Sequence, residues 1–111
     1  MMMARILIVE PHSDLRTLLD LVVRRLGHEP VVQKIGEDDP ADLDAGVIEV
    51  GDGSGLLAAR RLRELGRPVV LMGVVPADDE ARAIDAAAYL VKPFPLHRLE
   101  RALSSVLPIA A

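Results

Sequence analysis

The sequence predicts an α/β domain with a mostly parallel, doubly wound sheet. Short apolar runs rich in β-branched residues alternate with segments of helical periodicity, as buried parallel strands alternate with crossover helices. Three of these runs stop at a charge: Ile6-Leu7-Ile8-Val9-Glu10, Gly46-Val47-Ile48-Glu49, and Tyr89-Leu90-Val91-Lys92. The chain has 111 residues, half of them hydrophobic, which suits one domain around one core. Ligands of open parallel sheets bind beyond the carboxyl ends of the strands. Two carboxylates and a lysine are therefore expected to meet in one small pocket.

Residues 4–9 read as the first strand. His12-Ser13-Asp14 offers an N-cap for a helix with Leu15, Leu18, Leu19, Leu21, Val22, Val23 and Leu26 on its apolar positions. Arg24 and Arg25 suit the negative end of its dipole, and Gly27 is the expected stop. Val31-Val32 is a short second strand. The acidic stretch from Gly36 to Asp44 contains Pro40 and leaves room for one helical turn or an irregular link.

Residues 45–50 form the third strand, and Gly51-Asp52-Gly53 a turn. Ser54 is the expected cap of a helix over 55–65, with Leu56, Leu57, Ala59, Leu62 and Leu65 on its apolar side and Gly66 ending it. Pro68 opens a fourth strand, Val69-Val70-Leu71-Met72. Asp78-Asp79-Glu80 sit in the first turn of a short helix reaching about Ala86. Residues 89–91 make the fifth strand. Pro95 starts a last helix to about Leu107, with Leu96, Leu99, Leu103 and Val106 inward.

Net charge is −4, from 13 basic and 17 acidic residues, and lacks the basic excess of a nucleic-acid-binding domain. There are 11 arginines but only two lysines, Lys34 and Lys92, and one of these ends a strand. The absence of cysteine excludes disulfides and thiolate metal sites. No apolar run approaches the roughly 20 residues of a membrane span, and the N-terminus has no signal-peptide pattern. The expectation is a cytoplasmic protein.

The pattern resembles the CheY-like receiver domain of two-component response regulators. The residues that carry the likeness are Ile6 to Glu10 followed by Asp14-Leu15-Arg16, Asp44 to Glu49, Gly55, Arg61-Leu62-Arg63, and Tyr89-Leu90-Val91-Lys92-Pro93-Phe94. The resemblance implies a flavodoxin-like sheet of strand order 2-1-3-4-5 and a cis Lys92–Pro93 peptide. It implies a carboxylate nucleophile that takes a phosphoryl group from a histidine kinase, helped by Mg²⁺ and lysine.

Matched position by position, Glu10 takes the first place of the acidic pair and remains a weak metal candidate. Pro11 takes the second and cannot bind metal. Glu49 stands where the acceptor aspartate belongs, Gly73 where a Ser or Thr hydroxyl belongs, and Tyr89 at the aromatic readout position. Lys92 and Pro93 match the family.

Glutamate reaches one methylene further than aspartate, and a misplacement of about 1 Å can cost on the order of 10²-fold in rate. The expectation is therefore a degenerate receiver over residues 1–111 without an output domain. It would be held by a Glu49–Lys92 pair and act by protein–protein contact with a kinase or output protein. No cofactor is expected, and Mg²⁺ only weakly. A partner or homodimer contact is expected on the last two helices, at Ala83, Ala87, Leu96, Arg98, Leu99 and Arg101.

Two rivals remain open. The first is a working phosphoacceptor that uses Mg²⁺ with Glu49 or, in a shifted alignment, Asp52. The second is a small flavodoxin-like enzyme, against which stands the absence of a glycine-rich phosphate loop in Glu10-Pro11-His12-Ser13. The plainest reading makes Glu10 and Glu49 strand-end carboxylates paired with Lys92. His12, His28 and His97 are scattered, and Arg60–Arg63 reads as a solvated helix face.

Overall fold

The computed structural model describes residues 3–33, 42–51 and 53–106. Along the chain run β1 (Arg5–Val9), α1 (Ser13–Arg25), β2 (Glu29–Val32), β3 (Ala45–Glu49), α2 (Gly53–Glu64), β4 (Val69–Gly73), α3 (Asp79–Ala83), β5 (Ala88–Val91) and α4 (Leu96–Val106). The strands form one five-stranded sheet of order β2-β1-β3-β4-β5, parallel throughout. This is the expected architecture.

The strands lack polar alternation because both faces of the sheet are covered. Every residue of β3 and β4 is buried. Ile6, Ile8, Val47, Val70 and Met72 point to one face and join Leu19, Val23, Leu99 and Leu103. Leu7, Ile48, Val69 and Leu71 point to the other and join Ala59, Leu62, Ala81 and Ile84. A strand sends successive side chains to opposite faces, so one apolar run feeds two cores.

Gly27 and Gly66 end α1 and α2 with φ of +87° and +75°, as expected of glycine stops. Four details differ from the sequence reading. Ser54 is not the cap, because α2 already starts at Gly53. At Gly55 a Cβ would overlap the backbone oxygen of Glu49, so the first turn is pressed onto the end of β3. α3 stops at Ala83 and not at Ala86, because Asp85 turns the chain with φ +58°. Leu18, Leu21, Leu57, Leu65 and Leu96, all expected on inward faces, are exposed, and Ala58 and Ala102 take core places instead. Leu99, expected on a partner face, is wholly buried, since the face of α4 that carries it also carries Ala102 and Leu103 into the core. Of the acidic link, residues 34–41 lie outside the described residues, as does Asp52.

Candidate functional site

In this strand order β2 is added on one side of β1 and β3 on the other, and this switch of winding opens a crevice beyond the carboxyl ends of β1 and β3. Glu10 follows β1 directly, Glu49 is the last residue of β3, and Lys92 follows β5. The three side chains meet there. Lys92 Nζ donates to Glu10 Oε1 at 2.6 Å and is paired with Glu49 Oε2. Side-chain exposure is 0% for Glu10, 8% for Glu49 and 14% for Lys92, so water screens this cluster little.

The remaining carboxylate oxygens are also engaged. Glu10 Oε2 accepts the His12 backbone N–H at 3.0 Å and lies 3.2 Å from His12 Nδ1. Glu49 Oε1 accepts the Gly51 backbone N–H at 2.8 Å. The extra methylene of Glu49 thus lets its carboxylate curl back over its own turn while reaching Lys92. Arg16 closes the flank by donating to the Glu10 backbone oxygen at 3.2 Å. Burial alone would lower the Lys92 pKa, but hydrogen bonds to Glu10 and Glu49 and their charges outweigh it and hold the group above the ordinary lysine value. The ammonium is therefore fixed in its charged form.

Gly73 and Tyr89 flank the cluster on the β4–β5 side. A Cβ on Gly73 would overlap the Tyr89 hydroxyl and stand 3.2 Å from Cζ. That hydroxyl donates to the Val75 backbone oxygen at 2.9 Å. Burial, followed by the negative charges of Glu49 and Asp78, raises the Tyr89 pKa. The Lys92–Pro93 peptide is cis. Beside it lies an apolar groove of about 450 Å³, lined by Leu15, Leu18, Val74, Pro93, Phe94 and Leu96, with Lys92 in its wall.

The structure thus brings Glu10, Glu49 and Lys92 together, with Gly73 and Tyr89 adjacent. Pro11 is exposed and has no side-chain oxygen to offer. Of the expected partner face, Ala83, Ala87, Leu96, Arg98 and Arg101 are exposed. The sequence reading missed the Gly51 amide, the His12 contacts and the Val75 carbonyl. Only the glycine after Glu49 carried a signal, since a small residue there admits a folded-back side chain.

Neither a protein-family model nor a curated protein matches this chain. Solved structures do. A chemotaxis response regulator of Vibrio cholerae, CheY4, is 22% identical at a TM-score of 0.79, over 96% of this chain and 100% of that one. A response regulator receiver protein from Burkholderia phymatum is 24% identical at 0.77, over 97% and 98%. An orphan response regulator of H. pylori is 21% identical at 0.77, over 95% and 97%. At these identities the likeness establishes the fold: this chain has the flavodoxin-like fold of CheY-like receivers.

Proposed function

We propose that this chain is a receiver-like domain of two-component signalling that works by protein–protein contact, without cycling through phosphorylation. One observation carries the reading. Among the described residues, the one lysine ammonium in the crevice is clamped between two buried carboxylates, and each carboxylate's other oxygen already accepts a hydrogen bond. A carboxylate that attacks phosphorus needs a free oxygen aimed at the incoming group and nearby cations to neutralise the transferring oxygens. Here Glu49 is turned toward Lys92 and Gly51. The Glu10–Lys92–Glu49 cluster carries a net charge of −1 before any phosphoryl group arrives.

We read the crevice as unsuited to Mg²⁺. That ion asks for near-octahedral oxygen coordination, whereas Pro11 offers no carboxylate and both Glu10 oxygens are engaged. Among the described residues no group of three or more His, Cys, Asp or Glu side chains is placed to hold a metal ion. With the crevice closed to phosphoryl chemistry, output falls to surfaces such as the exposed part of the α3–α4 side. The partner would be a kinase or an output protein of the same signalling system. Among the described residues no helix is long and apolar enough to cross a membrane.

The test is incubation with acetyl phosphate and Mg²⁺, read by intact-protein mass under acidic conditions. No phosphoryl adduct is expected. A Mg²⁺-dependent adduct would overturn the reading, and peptide mapping would then assign the acceptor to Glu49 or to Asp52.

A further inference from the structure

Among the described residues three ionisable side chains are buried: Glu10, Glu49 and His28. The first two belong to the crevice. His28 lies at the opposite, amino edge of the sheet, between the Gly27 stop of α1 and the start of β2. Its Nδ1 accepts the Ala4 backbone N–H at 3.0 Å. An amide nitrogen can only donate, so Nδ1 carries a lone pair and the ring proton sits on Nε2. The neighbouring bonds make this contact a corner joint. The His28 N–H donates to the Val23 oxygen of α1 at 3.1 Å, and the Glu29 N–H donates to the Ala4 oxygen at 2.9 Å. Two consecutive residues thus hold both backbone groups of Ala4, which is buried in the core that includes Leu19, Val22 and Val23. The strand they belong to has little else to fix it: β2 is an edge strand of four residues, none fully buried, and contains Pro30.

The charged groups of the surrounding elements are engaged elsewhere. On β1, the Arg5 guanidinium pairs with Glu29 of β2 and with Asp42, and the Arg5 backbone N–H donates to Asp44 Oδ2 at 2.9 Å. On α1, Arg24 is held by Asp20 at 2.7 Å, and Arg25 is exposed. Among the described residues no hydrogen bond or ion pair joins a carboxylate to His28.

We infer that His28 is a proton-operated joint: neutral, it fixes the start of β1 to the corner between α1 and β2, and protonated, it releases that corner. A proton on Nδ1 would set a donor against the Ala4 N–H, so the bond and the charged ring exclude each other. The buried Ala4 N–H would then lack a partner, and the ring, in a residue only 8% exposed, would have to swing out to hydrate its charge. Acid therefore loosens this corner first. The joint lies at the far edge of the sheet from Glu49, so it stands or falls independently of the reading of the crevice.

The experiment compares the wild-type chain with His28→Asn, whose side-chain oxygen branches at the same position as Nδ1 and can accept from the Ala4 N–H but does not titrate. Urea midpoints are measured at about pH 7.5 and about pH 5.5, either side of the ordinary histidine range. On acidification the midpoint is expected to fall about 0.5–1 M further in the wild type than in His28→Asn. His12 and His97 are exposed and common to both proteins, so their contributions cancel in the comparison. An equal fall in both overturns the proposal. Should His28→Asn not fold, the wild type decides by NMR. Long-range proton–nitrogen spectra at neutral pH are expected to show His28 Nδ1 without a proton. In acid the Ala4 amide is expected to lose hydrogen-exchange protection while the Ile48 amide of β3 keeps its own. A protonated Nδ1 at neutral pH, or Ala4 protection that acid leaves unchanged, overturns the proposal.

Discussion

The two halves of the sheet's carboxyl edge are closed by different physics. On the β1–β3 side, two carboxylates meet a lysine that reaches across from the end of β5, and the three charges satisfy one another with almost no access to water. On the β4–β5 side no charge pairing is involved: a missing side chain at Gly73 receives an aromatic ring, and one neutral hydrogen bond finishes the job. The helices differ likewise. α2 runs 12 residues and presses its first turn onto the end of β3, whereas α3 has five residues between the Asp78 cap and Asp85. The charged half is held by interactions that are strong but intolerant of losing one member. The steric half is held by weak ones and depends on shape. Removing a group should therefore hurt the first half most, and adding a group the second.

The largest effect is expected for Lys92→Met, which leaves two buried carboxylates without a cation. Breaking a buried ion pair by deleting one partner costs about 3–5 kcal/mol, read as a lower urea midpoint. Adding Glu49→Gln to this variant should recover part of the loss by removing one of the two like charges. Independent, additive losses would show that the cluster is not one electrostatic unit.

A smaller effect tests whether the close approach of α2 matters to the charged half. Gly55→Ala drives a methyl group into the Glu49 backbone oxygen. Overpacking of this kind costs about 1–3 kcal/mol, and the displaced strand end should weaken the Glu49–Lys92 pair. Thermal unfolding together with the Lys92 side-chain NMR signals would check both parts. An unchanged melting temperature would mean that the helix yields without cost.

The smallest effect is in pH dependence, where the two halves should respond in the same direction. The pKa values of Lys92 and Tyr89 are both raised in the folded chain. A raised folded value means that each group's contribution is complete below its unfolded pKa and is lost as pH rises through the folded one. Stability from both groups is therefore expected to hold through neutral pH and to decline only above about pH 10. Absorbance titration of the phenol should give a midpoint above that of free tyrosine in the native chain, and a normal one in urea.

The strands were legible because a fully buried strand must be an uninterrupted apolar run, and the crevice because three such runs end in charge. Gly27 and Gly66 were legible as helix stops from their position after each apolar-periodic segment. Other features depend on contacts that leave no local trace. Nothing around Gly73 announces that a ring 16 positions later will fill its place. Leu99 and Leu21 look alike in sequence, and only the packing of each helix separates the buried residue from the exposed one. The curl of Glu49 toward Gly51 is a choice of side-chain conformation, which composition and spacing do not encode. The expected end of α3 failed for a related reason: Asp85 is an ordinary helix-compatible residue until the return into β5 demands a left-handed turn.

The clamp joins residues 82 positions apart, since Glu10 follows the first strand of the chain and Lys92 the last. This has a consequence for the order of assembly. During chain growth β1 and β3 can pair before β5 exists, and their pairing brings two carboxylates together with no cation between them. The partly built sheet is then self-repelling at its carboxyl edge. Arrival of Lys92 cancels that repulsion, so the last strand is drawn in by charge as well as by the apolar face it completes. Long-range closure of this kind comes late in folding, and interactions formed late act mainly by slowing unfolding. The crevice therefore doubles as a latch, closed only once the whole domain is in place.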